Sequence, residues 1–341
     1  MNKDRIASFE WGRLIALLAV IIIHAKPFMN APIIDELPWV GLLLNQLGRF
    51  AVPLFFILAG YFIMPKLSEM ALPTLKRYSL PLLKVWLAWS IIYLAMPFNL
   101  MKFYTEGYLA ERSGYWNFLL SNPLNTLFEG GMVHLWYIPG LICGLAVIAL
   151  CCALKQQKLI LPVAVALYVY GLMAGSYQPI FGIEAPVFTR NGPFLSTLMI
   201  AIGFMARKHN YKLPFVIAAL LAIGGMGLHL LEGLFLLKQH GTAYNINDFL
   251  MGTPLWAAGI FFMLADKPDF GRSPALFKLS KDILGIYLVH LLIIIYTLNT
   301  FRILGFSGYV ADISVIAIVC VVSYVIVKLI DKTPLKNVLL R

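Results

Sequence analysis

Apolar residues run through this chain in unbroken blocks, without the alternation or the three-and-four spacing of an element that buries only one face. Ten blocks stand out, at about 8–26, 47–64, 79–97, 134–154, 159–176, 191–206, 213–236, 248–265, 283–301 and 309–330, most of them close to the roughly 20 residues needed to cross a hydrocarbon core about 30 Å thick. The pattern predicts an all-α polytopic membrane protein of about ten transmembrane helices. The fifth and sixth blocks are the least regular, because Gly171, Gly175 and the short run after Pro193 mark a tilted or broken helix. The stretches 27–46 and 98–131 read as the long loops.

Composition agrees with that pattern. The 341 residues are 60% hydrophobic and 13% charged, with a mean hydropathy of +0.82, against about one-quarter charged residues in an ordinary soluble domain. No stretch has soluble-domain composition, so residues 1–341 read as one integral-membrane domain. Charge then orients it: on the ten-span reading nineteen Lys and Arg, from Lys3 and Arg5 to Arg341, fall in segments on the side of both chain ends, and seven on the other side. Cytoplasmic loops collect Lys and Arg, so the expectation is N-in and C-in. The net charge of +11 is spread over these loops, which argues against a nucleic-acid partner. Cys143, Cys151, Cys152 and Cys320 show no metal-ligand spacing, and no metal is expected. Lys3 and Arg5 before an apolar run fit an uncleaved signal anchor, since no small-x-small site precedes Lys26-Pro27.

Ionisable residues inside apolar blocks are costly and therefore candidates for function. Glu10 and Arg13 lie at the inner end of the first block and His24 at its outer end. Eleven residues make three turns plus about 20°, so Arg13 and His24 share a face, about 16 Å apart along the axis. A snorkelling Arg13 paired with Glu10 is the plainer alternative. Arg49 opens the second block on the outer side, followed by Pro53, and can either snorkel to headgroups or face a substrate. His134 opens the fourth block beside Trp136 and Tyr137, which suit an interfacial aromatic belt. His290, after Tyr287 and amid leucine and isoleucine, sits near mid-depth, where an interhelical hydrogen bond is the plainer role. Lys66, Lys76 and Arg77 crowd an inner segment as topology charges or phosphate contacts. Two classes arrange such groups along a membrane path: an enzyme whose substrates approach from opposite faces, and a multi-pass transporter or flippase for a glycolipid or acyl donor.

These residues carry a resemblance. Arg13 and His24 fit an Arg-x10-His signature, and "RFAVPLFFILAGYF", "HLWYIPGL" and "LGIYLVH" follow in order. The set resembles the membrane-bound acyltransferase 3 family, in particular its stand-alone members that O-acetylate bacterial surface glycans. Glu10 stands where the family commonly has Asp, and Gly48, Ala59 and Ile283 where serines are common. The charged frame is intact, while acceptor contacts through those hydroxyls are lost.

The resemblance implies an acyl-CoA-dependent membrane O-acyltransferase of the bacterial cytoplasmic (inner) membrane. Its donor would be acetyl-CoA, with no metal. Its partners would be membrane lipid and a surface glycan or undecaprenyl-linked sugar as acceptor. His24, Arg49 and His134 are then the expected catalytic residues, with Glu10, Arg13, Lys76 and Arg77 holding the donor and His290 and Tyr287 in support. An extended pantetheine arm is comparable with the ~16 Å from Arg13 to His24, so the first helix would act as a ruler between donor phosphates and reacting carbonyl.

Overall fold

The computed structural model describes residues 5–30 and 32–340. Lys3 and Arg341, two of the inner charges, lie outside the described residues. Its α-helices in chain order are α1 (Ala7–Ala25), α2 (Trp39–Leu47), α3 (Ala51–Glu69), α4 (Ala71–Ala95), α5 (Leu100–Glu106), α6 (Tyr108–Ser121), α7 (Pro123–Glu129), α8 (Tyr137–Ala153), α9 (Ile160–Met173), α10 (Gln178–Phe181), α11 (Pro193–Lys208), α12 (Phe215–His240), α13 (Gly252–Asp266), α14 (Pro274–Ser280), α15 (Ile283–Ile303), α16 (Tyr309–Asp331) and α17 (Lys336–Leu339). An isolated antiparallel bridge, Ile34 to Leu37, accompanies them among the described residues.

Each of the ten apolar blocks contains a helix, but the helices are not equal. Among the described residues seven segments are long and apolar enough to cross a membrane: α1, Trp39–Glu69, α4, Val133–Ala153, α12, α15 and α16. The other three, α9, α11 and α13, have 14, 16 and 15 residues, which at 1.5 Å each is about 21–24 Å. The weak fifth block ends as a helix at Met173, just beyond Gly171. The loops expected at 27–46 and 98–131 hold helices of their own, α2 in the first and α5–α7 in the second. Mixed polar and apolar residues hid α5–α7 from a reading tuned to apolar runs.

Two compact units make up the chain. One contains the chain up to Val20, Gln46–Leu80 and Tyr137–Lys281; the other contains Ile21–Asn45, Pro81–Trp136 and the chain from Asp282. In the first unit α11 is the central helix, packed on α3, α8 and α9, while α12 packs on α13. Leu195 to Ala201 of α11 are buried without a break, as expected of a helix that is apolar all round. Glycines set its distance from α3. A Cβ on Gly203 would stand 1.8 Å from the Ile57 carbonyl oxygen, and one on Gly60 2.0 Å from that of Ile200, so the two backbones touch where small residues permit it.

In the second unit α15 packs on α16. The buried Tyr93 hydroxyl of α4 donates to Leu288 O at 2.8 Å and accepts from Leu292 N at 3.2 Å, which pins α4 to α15. Glu111 of α6 accepts from Phe98 N and Asn99 N, both at 2.9 Å. Arg112, in the stretch 98–131 that reads as a loop, is fully buried with its guanidinium 4.1 Å from the Phe98 ring centroid and 4.9 Å from that of Tyr115. Burial, eased by the Arg112 charge, leaves the Tyr115 hydroxyl pushed up to about 12.

Candidate active site

Three imidazoles converge in the second unit. His24 is the penultimate residue of α1, His134 lies in a 3₁₀ turn at Val133–Trp136, and His290 is two turns into α15. Ring centroids are 5.3 Å apart for His24 and His290, 5.2 Å for His134 and His290, and 6.2 Å for His24 and His134. His134 and His290 are buried, whereas His24 is half-buried.

The local sequence explains this placement. Gly130 adopts φ +63°, and a Cβ on Gly131 would lie 2.1 Å from Ser90 O. Only glycine fits both demands, and the chain turns against α4 so that His134 follows in a tight 3₁₀ turn. Tyr287 then donates its hydroxyl to the His134 carbonyl. Carbonyls also select the tautomers. His134 Nε2–H donates to Leu288 O at 3.4 Å, and His290 Nδ1–H donates to Tyr287 O. The remaining nitrogens, His134 Nδ1 and His290 Nε2, are buried acceptors with no hydrogen bond from the described residues. The cluster thus combines one half-buried imidazole with two buried ones that hold bare lone pairs. Among the described residues no group of three or more His, Cys, Asp or Glu side chains is suited to a metal ion.

Glu10 and Arg13 form a separate locus in the first unit. One Glu10 oxygen accepts from Arg13 at 2.9 Å, and the other accepts from Arg5 at 2.7 and 3.0 Å. Arg5 also reaches Ser280 Oγ at 2.9 Å and Phe277 O at 3.1 Å. A buried carboxylate therefore organises two guanidiniums, of which Arg13 is the more open. Sequence reasoning treated Arg5 as a topology charge and missed this pairing, although its five-residue spacing from Glu10 lies just ahead of a helix start. Lys76 and Arg77 are exposed near the start of α4.

Arg49 occupies the three-residue break between α2 and α3. Pro53 has no N–H to offer the Arg49 carbonyl and its ring crowds that oxygen, so the helix cannot run through. The Arg49 guanidinium pairs with Asp248 and Asn245 O. Arg190 binds the other Asp248 oxygen at 2.9 Å. Burial alone would raise the Asp248 carboxyl, but Arg190 and Arg49 outweigh it and hold the group below its ordinary range. A second chain of bonds fixes the loop beneath: His229 Nε2–H to Gln46 Oε1 at 2.8 Å, Gln46 to Tyr244 O at 2.9 Å, and Thr253 Oγ1 to His229 Nδ1 at 2.9 Å. Neither Arg190 nor Asp248 was singled out from the sequence. Both lie in irregular loops, where no periodicity assigns a face.

The structure thus brings together His24, His134, His290 and Tyr287, pairs Glu10 with Arg13, and joins Arg49 to two residues not foreseen. Comparison with known proteins adds to this. Over 313 residues the chain is 26% identical to an "Amino-acid racemase" of Enterococcus faecalis, covering 86% of this chain and 42% of the relative. A "Serine/alanine racemase" of Enterococcus gallinarum is 26% identical over 220 residues, or 59% of this chain and 29% of the relative. The chain spans less than half the length of these relatives. No solved structure matches. The model of the acyltransferase 3 family, described as an acyltransferase domain, matches residues 6–330. With the match running from the start of α1 to the end of α16, the chain belongs to the acyltransferase 3 family.

Proposed function

We propose that this chain transfers an acyl group, acetyl in the first instance, from a cytoplasmic acyl-CoA to a hydroxyl of a surface glycan or lipid-linked sugar in the bacterial inner membrane. The observation that carries this reading is the His24, His134 and His290 cluster at one end of a helix whose other end displays Arg13 braced by Glu10. On this reading α1 lies with its start toward the cytoplasm, within ten spans that leave both ends inside. The racemase names of the Enterococcus relatives describe whole proteins of which the matched segment is less than half, and racemisation is not carried over.

Arg13 meets the polar groups of the donor at the inner mouth, where a guanidinium gives forked contacts, with the exposed Lys76 and Arg77 on the phosphates. His24, as general base, accepts the proton of the acceptor hydroxyl while its oxygen attacks the thioester carbonyl. The new C–O bond forms, the C–S bond breaks, and the proton passes from His24 to the leaving thiolate. The bare nitrogens of His134 and His290 are acceptors close enough to the His24 ring to share its proton during the transfer. Tyr287 positions His134 through its carbonyl.

The test is His24→Ala in correctly inserted protein, read by mass analysis of glycans from cells carrying it. General base catalysis contributes about 10²–10⁴-fold, so acylation should fall at least about a hundredfold. Full acylation would end the proposal, and transport of a glycolipid or acyl donor without acyl transfer in reconstituted vesicles would favour a carrier.

A further inference from the structure

A trough of about 930 Å³ lies within the second unit, between the Trp86–Ala95 stretch of α4 and the helices α6 and α7. Its polar side chains are turned to backbone carbonyls: Ser90 donates to Trp86 O at 2.8 Å, Tyr108 to Ala95 O at 2.7 Å, Trp116 to Leu94 O at 3.1 Å and Thr126 to Leu119 O at 2.8 Å. Trp86 Nε1 has no hydrogen bond from the described residues, and it is buried. What faces the trough is therefore aliphatic and aromatic carbon. Along its rim Ile91, Leu120 and Leu127 are 58%, 77% and 67% exposed.

Depth and shape limit what such a surface can hold. From Trp86 to Ala95 is about 14 Å along the axis of α4, close to half of a hydrocarbon core about 30 Å thick. With both chain ends inside, α4 rises from Lys76 and Arg77, and this stretch is its outer half. The helix of another protein is a poor fit, because helices meet in a bilayer over Gly, Ala, Ser and Thr, and the rim here is leucine and isoleucine. A hydrocarbon chain fits. The bilayer is itself made of straight acyl chains, so a trough that serves one lipid has to prefer a chain of another shape. A volume of about 930 Å³ over that length is about 66 Å² in mean section, which leaves room for methyl branches.

The trough is continuous with the histidine cluster, which lies in the same unit. Gly130 and Gly131 line it, and His134 follows three residues later in its 3₁₀ turn. Ser90, Ile91 and Leu94 of α4 form its wall, while the intervening Tyr93 meets the His134 ring edge-on, with centroids 5.1 Å apart.

We propose that this trough holds the methyl-branched chain of a polyisoprenyl-linked acceptor, so that the head carrying the hydroxyl is presented at His24, His134 and His290. The role of that head as acceptor rests on the acyl-transfer reading; the chain-binding trough does not. Ile91 and Leu120 are then specificity residues, favouring a lipid-linked acceptor over the same sugar free in water.

Photolabelling tests this. The purified full-length protein is placed in vesicles of dioleoylphosphatidylcholine with undecaprenyl phosphate bearing a diazirine in its chain, irradiated, and its labelled peptides are read by mass spectrometry. Label is expected on α4 between Trp86 and Ala95 and on α6 and α7, displaced by unlabelled undecaprenyl phosphate and not by as much dioleoylphosphatidylglycerol. Ile91→Trp fills the trough from the α4 side and should cut the label by roughly fivefold or more. Val321→Trp, at an exposed position of α16, should leave it unchanged. Label spread equally over α12 and α16, or displaced equally by phosphatidylglycerol, marks ordinary boundary lipid and overturns the proposal. Undiminished label in Ile91→Trp does so too, and if that variant does not insert, Leu120→Trp on the facing wall is held to the same criterion. Equal rates of acylation for a polyisoprenyl-linked and a free acceptor would overturn the assignment of the chain to the acceptor. Displaceable label in a protein inert in acyl transfer would keep the trough and sink the acyl-transfer reading, whereas acyl transfer without displaceable label would do the reverse.

Discussion

A carboxylate wedged between two guanidiniums has a pH signature. Asp248 has its pKa below the ordinary value despite burial, because Arg190 and Arg49 favour the charged form. The unfolded chain restores the ordinary value near 3.9. A depressed folded pKa contributes stability that is fully present above the unfolded value and disappears as pH falls through the folded one. Thermal midpoints recorded from about pH 6 downward should therefore hold until roughly pH 4 and then drop, and Asp248→Asn should flatten that drop. An equally steep loss in the variant would show that other carboxylates govern it. Tyr287 permits a second test at this scale. Its hydroxyl serves the His134 carbonyl, so Tyr287→Phe leaves a buried acceptor unpaired, at a cost of about 1–3 kcal/mol. If it positions His134, kcat should fall severalfold while donor KM stays put; a change in stability alone would make Tyr287 a packing residue. The histidines were legible in the sequence because an ionisable side chain within an apolar run is conspicuous by cost. Asp248 and Arg190 were not: Arg190 lies outside the apolar blocks and Asp248 at the very edge of one, ahead of the helix that starts at Gly252, and only the folded backbone brings them to Arg49.

Single atoms decide how the helices meet. Gly60 of α3 and Gly203 of α11 each face a carbonyl of the opposite helix, and an added methyl would stand 2.0 Å from Ile200 O or 1.8 Å from Ile57 O. Backbone oxygens within two packed helices cannot swing aside as a side-chain tip does, so accommodation means moving the helices apart. Overpacking of this kind costs typically about 1–3 kcal/mol and sometimes more. Gly203→Ala should lower the thermal midpoint and the yield of inserted protein, and Gly60→Ala should do the same. A neutral outcome would mean that α3 and α11 lie farther apart than described. By contrast, a Cβ on Gly224 or Gly227 of α12 meets nothing within 4 Å, and alanine at either should be tolerated or mildly stabilising, since alanine is the better helix former. The apolar blocks foretold where α1, α15 and α16 run to within about two residues, because an uninterrupted run has one interpretation at bilayer length. The same rule passed over α5–α7. In α6 the hydrophobic positions are interrupted by Glu111, Arg112, Ser113 and Asn117, and the helix is held by the bonds of Glu111 to Phe98 N and Asn99 N and by Arg112 over two rings, which no pattern of apolar residues encodes.

At the scale of the whole chain the open quantity is the number of crossings, and charge parity bears on it. Arg5 before α1 and Lys328, Lys332 and Lys336 at and beyond the end of α16 all carry the positive charge that marks a cytoplasmic face. Ends on one face require an even number of crossings. With both ends on the cytoplasmic face, the seven long segments among the described residues are odd in number, so either one or all three of the short helices α9, α11 and α13 cross. The first two are placed to cross as a pair, with α13 as the third. Lys155 and Lys158 precede α9, Arg207, Lys208 and Lys212 follow at the end of α11, and Arg190 is the one Lys or Arg between Lys158 and Arg207. Helices of 14 and 16 residues fall short of an unperturbed bilayer, but irregular backbone is tolerated at membrane depth where protein surrounds it, and α11 is buried on all sides. Single cysteines at Gln156, Glu184 and Asn210, placed in a chain whose four native cysteines are alanine, should separate the possibilities with a membrane-impermeant maleimide. Glu184 should be labelled in intact cells, and Gln156 and Asn210 only once the membrane is opened. Labelling of all three from the same side would make α9 and α11 a re-entrant pair and remove two crossings.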